Sequence, residues 1–545
     1  MKKILLSLAA IIVVALLVVF YFFYNDTKDP YVKACDFSVP EEIIPTFTEV
    51  DFSFENKFDN KKSLPLMGSA IIDVDGDGVD EVFVGGGYGQ EDGLFQFKDN
   101  AFKDISQKVS LPKKGKPATL GAVSFDMDKD GQVDLLIARE NGVFFYKNDA
   151  GKFTSQKLEV PLNEKSSPAT FALGDVNKDG QVDIFLCAYI RLEKMEGQTI
   201  FNDLDYGANS LLLLNNGDNT FRDVTREAGL EYTHNTFQAV FVDVDKDGWL
   251  DLVVAYDTGE ARTYKNQDGT HFKLMPNPLT GKFGYPMGIA VGDYNNDGRT
   301  DFFFSNTGTS VPKFVAKGDL RDDQELVVDW LLFRNDGNFQ FTEVGKEAKV
   351  ADFEFSWGAV FEDFNLDGKQ DLVVAENYVD FPPHKAFKLP CRFLLQRDDG
   401  TFSSVEEQAK AVNKNYAITP LVSDFNQDGY PDLVYVNLDG PVKAFLNDGG
   451  NNPFLKVRFR EESENSGATV EVVTGSGKRL SDVYVVGEGL AGDQTNTLTF
   501  GMKGEISAKS IAISYPSGRR DTILNPVLNA TYKMKRDSSS VGNRQ

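Results

Sequence analysis

The chain predicts an all-β fold, a seven-bladed β-propeller with calcium-binding loops, followed by a small C-terminal β domain and preceded by an N-terminal transmembrane helix. Three observations carry the propeller. A nine-residue acidic pattern returns seven times, its first clear copy being Asp126-Met127-Asp128-Lys129-Asp130-Gly131-Gln132-Val133-Asp134. The copies begin at Asp73, Asp126, Asp175, Asp243, Asp293, Asp363 and Asp424, at spacings of 53, 49, 68, 50, 70 and 61 residues. A period near 50 with occasional insertions marks a propeller or solenoid array. Each copy is also set among short apolar strands, and four short antiparallel strands per repeat make a blade.

The N-terminus is expected to lie outside that fold. Lys2 and Lys3 precede an apolar run from Ile4 to Tyr24. Twenty-one residues at about 1.5 Å each give a helix of ~31 Å, enough for a bilayer core. Asn25-Asp26-Thr27 offers no small-x-small cleavage site. Residues 1–25 therefore read as an uncleaved signal anchor, crossing the membrane through residues 4–24. The N-terminus would be cytoplasmic and the remainder exported. Residues 26–44, with Pro30 and Pro40, read as a linker.

Residues 45–449 hold the seven repeats. In each, an apolar strand such as Gly121 to Phe125 enters the loop, and a β-rich strand such as Leu252 to Tyr256 leaves it. A third strand ends in Asn-Asp or Asn-Asn, as at Asn148-Asp149 and Asn215-Asn216, and a more polar fourth follows. The seventh repeat lacks its fourth strand. Thr46-Phe47-Thr48-Glu49-Val50 echoes Phe341-Thr342-Glu343-Val344 and is expected to close the ring, removing two open sheet edges. Insertions near 190–209, 306–328 and 377–390 each fall between the second and third strands. They should emerge on the face opposite the acidic loops, the expected surface for a protein or glycan ligand.

From residue 450 the acidic loops stop. Alternating strands such as Ala468 to Val473 and Ile511 to Tyr515 make 450–535 a small separate β domain, and 536–545 a disordered tail. Three cysteines are too few for a disulfide framework. Cys187 sits in an apolar run as a buried small residue, whereas Cys35 and Cys391 could pair in an oxidising compartment.

The loops carry the chemistry. Positions 1, 3 and 5 aim three side-chain oxygens into one turn, glycine at position 6 permits the bend, and position 9 adds a last carboxylate. In the first loop these are Asp73, Asp75, Asp77 and Glu81; in the second, Asp126, Asp128, Asp130 and Asp134. The third uses Asp175, Asn177, Asp179 and Asp183, and the fourth Asp243, Asp245, Asp247 and Asp251. The fifth has Asp293, Asn295, Asp297 and Asp301, the sixth Asp363, Asn365, Asp367 and Asp371, and the seventh Asp424, Asn426, Asp428 and Asp432. All are hard oxygens, which select Ca²⁺ over zinc or copper. An EF-hand would need a Glu at position 12 between helices; here that position is Val84, Ile137, Leu186, Val254, Phe304, Val374 or Tyr435, inside a strand. Up to seven Ca²⁺ are expected, which would bring the formal charge from −25 to −11. The first loop, with Glu81, is expected to be the weakest.

A net charge of −25 argues against nucleic acid, since no counterions could be released. Only three histidines occur, His234, His271 and His384, and no Ser/His/Asp or Cys/His constellation is evident, so an enzyme is not expected. The loops, with Phe83-Val84-Gly85-Gly86-Gly87 beside the first, resemble FG-GAP/VCBS repeats of integrin-α-like propellers. Ser466 to Val470, Gly487-Glu488-Gly489, Leu498 to Gly501 and Tyr515 to Arg519 resemble the ASPIC/UnbV domain, although Tyr515 stands where that family usually has Trp. The combination is similar to the cartilage acidic protein family and its bacterial relatives. The resemblance implies an exported, calcium-binding, adhesion-like protein. A polysaccharide-directed enzyme and an envelope assembly scaffold are the alternative expectations.

Overall fold

The computed structural model describes residues 11–17, 43–195, 206–308, 320, 324–376, 390–460 and 462–534. Its one described N-terminal helical stretch is 11–17, about 10 Å long at 1.5 Å per residue. Among the described residues no helix is long and apolar enough to cross a membrane. That finding removes the expected transmembrane helix from the fold. The rest of the 4–24 run, residues 26–42 of the expected linker and the 536–545 tail lie outside the described residues.

Seven blades form the ring, the first and seventh joined into one eight-stranded sheet. Blade two shows the plan: Thr119–Phe125, Asp134–Arg139, Gly142–Asn148 and Phe153–Leu158 pair in sequence order, each antiparallel to the last. Blade one starts at Ser69–Ile72, blade three at Ser166–Gly174, blade four at Thr236–Val242, blade five at Ile289–Gly292 and blade six at Ser356–Glu362. Blade seven takes Tyr416–Ser423, Asp432–Leu438 and Lys443–Asn447 from its own repeat. Its outer strand is the expected N-terminal one, Phe47–Phe52, antiparallel to Lys443–Asn447 with Phe47 opposite Asn447. The same strand ends parallel to blade one at Asp51–Phe52, so it straddles the seam. First strands of successive blades pack side by side right round the ring, blade seven against blade one included. Apolar side chains between blades form the core, as with Phe125, Leu136 and Leu173 between blades two and three. The inner strands run nearly in backbone contact: a Cβ on Gly121 would stand 2.1 Å from the carbonyl oxygen of Ala169.

The C-terminal domain folds as two sheets. Phe454–Arg458 pairs with Thr497–Gly501 and Ala530–Lys533, and Thr469–Thr474 pairs with Arg479–Val483 and Ala508–Ser514, which carries Arg520–Leu524. The domain expected at 450–535 shares part of its core with the ring. Leu455, Val457, Val470 and Ile513 join the same core as blades two and three. Its turn at residues 487–494 enters the axis of the ring and meets every blade. Ser69 and Ile71 N–H donate to Ala491 and Asp493 carbonyls, and Ser124 N–H to the Asp493 carboxylate (2.9 Å). Gly487 abuts Phe171 and accepts from Gln238 Nε2 (2.9 Å). Val291 N–H donates to Glu488 Oε1 (2.7 Å), Gly489 closes on Gly358, and Val422 N–H donates to Gln494 Oε1 (3.0 Å). Leu490, wholly buried, and Ala491 adopt left-handed φ of 68° and 58° at the tip. Only a glycine-rich segment can pass between inner strands this close.

Candidate metal centres in the acidic loops

Every acidic loop joins the first and second strands of its blade, so all seven emerge on one face. One turn recurs in each. Position 4 is left-handed: Gly76 in the first loop, then Lys129, Lys178, Lys246, Asn296, Leu366 and Gln427, with φ between 54° and 61° for the six non-glycines. Glycine at position 6 is left-handed throughout. Its N–H donates to Oδ2 of the position-1 carboxylate at 2.7–2.9 Å in all seven, as Gly131 does to Asp126. This folds positions 1, 3 and 5 onto one another.

Position 9 is built differently from the rest. Asp134, Asp183, Asp251, Asp301, Asp371 and Asp432 are buried at the start of the second strand. Asp134 accepts Met127 N–H (3.0 Å) on one oxygen and Asn148 N–H (2.8 Å) on the other, and Asp183, Asp251 and Asp432 repeat the arrangement. Glu81 accepts from Val74 N–H and Gln96 Nε2. Burial pushes the carboxyls of Asp134, Asp183, Asp251, Asp432 and Glu81 up to about 8, and raises Asp301 and Asp371 as well. At position 1, Asp126, Asp175 and Asp243 shift the same way for the same reason, to about 6.

These are the marks of sites short of positive charge. Ligand oxygens of Asp73, Asp75 and Asp77, of Asp126, Asp128 and Asp134, and of Asp243, Asp245 and Asp251 lie within 4.8 Å of one another. Asp73 Oδ1, Asp245 Oδ1, Asp301 Oδ2 and Asp371 Oδ2 are buried without a hydrogen-bond partner. A hard-oxygen donor set with orphaned buried carboxylate oxygens fits a metal cation. Loops three, five, six and seven carry Asn at position 3, where the amide oxygen accepts the position-5 N–H, as Asp128 does in loop two. Lysines approach positions 3 and 5 from within the blades: Lys147 lies 2.9 Å from Asp130, and Lys265 2.8 Å from Asp247.

Sequence reasoning missed a second recurring set. The Asn that ends the third strand, read as a turn residue, reaches across to the neighbouring blade. Asn148 Nδ2 donates to Val74 O, Asn266 to Val176 O, Asn335 to Val244 O and Asn447 to Phe364 O at 2.9–3.1 Å, with Gln396 doing the same to Tyr294 O. Each carbonyl is position 2 of the preceding loop, so five of the seven seams are laced in this way; Asn215 of blade three turns instead to Asn219 (3.4 Å). The signal was the Asn recurring at strand ends.

Of the histidines, His234 is packed against Tyr232, where burial lowers its pKa, and His271 pairs with Asp268 at the surface. His384 lies outside the described residues. Cys187 and Cys391 are free, buried thiols; Cys391 contacts Glu376 and Asn413, and Cys35 lies outside the described residues.

Fold and loops define a class, a propeller-like ring with acidic oxygen-donor loops on one face and a β domain docked over them. More particularly, the chain carries FG-GAP-like repeats, matched at residues 73–137, 126–186, 200–254 and 243–304, and an ASPIC and UnbV domain, matched at 460–541. It is similar to Cartilage acidic protein 1 of Homo sapiens, 26% identical over 194 residues, 35% of this chain and 27% of that protein. The Xenopus tropicalis protein of the same name is 28% identical over 197 residues, 35% of this chain and 28% of its own length. The chain thus matches little more than a quarter of the length of these relatives. Among solved structures, it resembles the V. cholerae biofilm matrix protein Bap1 (TM-score 0.36, 11% identity, 74% of this chain and 91% of that one). It also resembles a Bacillus licheniformis rhamnogalacturonan lyase (TM-score 0.40, 12% identity, 73% and 75%). Likeness at this level carries no argument about function.

Proposed function

We propose that the protein is an exported, calcium-loaded recognition module that binds a protein or glycan on the face opposite its acidic loops. The observation that carries this reading is the division of the two faces. The C-terminal domain lies over the loop face and fills the axis. The second-to-third strand connections of blades three, five and six, which hold the long insertions, leave from the other face. Recognition tends to use loops of this kind, carried on a rigid scaffold. Calcium is the cation suited to the donors: carboxylate and amide oxygens in a flexible turn, with a backbone carbonyl available at position 7. Bound calcium would neutralise the crowded carboxylates. The chain's own residues supply the rest, position 9 anchoring the loop to the second strand and the Asn lattice fixing its neighbour.

The test is a screen of the calcium-loaded protein on glycan and surface-protein arrays, repeated with residues 377–390 replaced by a short glycine turn. The replacement should abolish recognition and leave the thermal melt unchanged. Unchanged binding would move the site elsewhere.

A further inference from the structure

Four of the seven loops take a contact from the C-terminal domain at position 1. Gly501 N–H donates to Asp363 Oδ2 (3.1 Å), and the Ser481 hydroxyl donates to Asp293 Oδ2. In the other two the contact is charged. Lys456 Nζ lies 2.6 Å from Asp424 Oδ2 in loop seven. Arg458 Nη2 lies 3.1 Å from Asp73 Oδ2 in loop one and 2.6 Å from the adjacent Asp80. Both cations come from one strand, Phe454–Arg458, at the seam where the ring closes. Asp80 draws that seam tighter, accepting the Ser423 hydroxyl of blade seven at 2.6 Å. Among the described residues, no Lys or Arg of the C-terminal domain pairs with a carboxylate of loops two, three or four.

These cations differ in kind from the lysines inside the blades. Lys147 and Lys265 side chains are 38% and 28% exposed and can swing into water when a metal arrives. Lys456 and Arg458 are 5% and 11% exposed. They are held between ring and domain and can leave only if the domain lifts.

We propose that Lys456 and Arg458 are built-in counter-cations of loops seven and one, so that these two loops bind calcium at least about tenfold more weakly than loops two to four while the C-terminal domain stays docked. The inference rests on the reading of the loops as calcium sites. A divalent ion in either loop would share its position-1 carboxylate with a fixed positive charge, which weakens that donor and repels the ion. Linkage makes the effect reciprocal: filling loops one and seven weakens docking of the domain.

Calorimetric calcium titration of the full chain tests this with D179A in loop three and D428A in loop seven. Both remove an exposed position-5 carboxylate and leave the buried contacts intact. D179A should delete one site from the tightest class and D428A none, whereas R458M should add one. Loss of a tight site in D428A, or seven equivalent sites in the unmodified chain, would overturn the proposal while leaving calcium binding intact. If R458M fails to fold, the first pair decides alone. No saturable calcium binding at all would refute the underlying reading, and this proposal with it.

Discussion

The axial turn is open to a sharp test through Gly487→Ala. Gly487 has a φ of 93°, and a Cβ there would lie 2.1 Å from the carbonyl oxygen of Phe171 in blade three. Its own carbonyl accepts Gln238 Nε2 from blade four, and its N–H donates to Asp493 Oδ1, the carboxylate whose other oxygen takes Ser124. The left-handed backbone alone costs a non-glycine residue about 1–2 kcal/mol. Forcing a methyl into a packed interior costs roughly 1–3 kcal/mol more. The carbonyl belongs to an inner strand locked between neighbours, so the turn must yield and the docked domain with it. About 2–5 kcal/mol should be lost from docking. Urea unfolding with limited proteolysis reads this directly: the variant should unfold in two steps, with cleavage near residue 450 preceding loss of the ring. A single transition within about 0.5 kcal/mol of the unmodified protein, the range of an ordinary surface change, would refute the view that the turn binds domain to ring.

Chelating calcium with EDTA should lower the melting temperature, because each site filled at a hundred times its Kd contributes about 2.7 kcal/mol; an unmoved melt counts against structural metals. Asp134→Asn gives an amide donor to a position where both oxygens accept backbone N–H. It should cost about 1–3 kcal/mol even without calcium, and no loss in chelator would show that Asp134 serves the metal alone. Arg392→Met removes a fully buried guanidinium that lies 2.6, 2.8 and 3.0 Å from Glu354, Glu376 and Glu406. That should cost about 3–5 kcal/mol in denaturant unfolding. Burial holds the Glu376 carboxyl well above its ordinary range, and the guanidinium opposes that shift. With a raised pKa the fold favours the protonated acid, so stability is complete below the unfolded value and falls as pH climbs towards the folded one. Without the opposing guanidinium the folded value rises further, so the variant should go on losing stability with rising pH beyond the point where the unmodified protein levels off, and parallel pH profiles would contradict this account.

Much of the ring was legible because it is local chemistry repeated. Acidic residues at positions 1, 3 and 5 with glycine at 6 specify a turn on their own, and strand alternation on either side specifies the hairpin. Thr46 to Val50 could be matched to its blade because it repeats the composition of Phe341 to Val344. What resisted reading depends on distant segments meeting. Gly487-Glu488-Gly489 was visible as a glycine cluster, but nothing local says that it descends a channel lined by seven other strands. In Leu455-Lys456-Val457-Arg458 the alternation correctly separates two faces, yet the charged face meets carboxylates rather than water. Asn148 and its counterparts look like turn residues until the neighbouring blade is in place. The apolar run at 4–24 met the criteria of length, flanking charge and absent cleavage site, whereas the described helix spans 11–17.

The loops carry two standing costs, and the arrangement of the molecule follows from how each is offset. Six loops hold a non-glycine residue left-handed at position 4, which aims the carboxylates together at roughly 1–2 kcal/mol apiece. Position 9 is buried, where an ionised carboxylate is expensive unless positive charge is near. Backbone N–H groups meet part of that need, but Asp301 and Asp371 each keep one oxygen without a partner. A divalent cation would offset both costs at once in loops two to four. At the seam the chain supplies part of the charge itself, from Lys456 and Arg458, which also fix the domain across blades seven and one. Positive charge on this face thus serves closure of the ring as well as the loops.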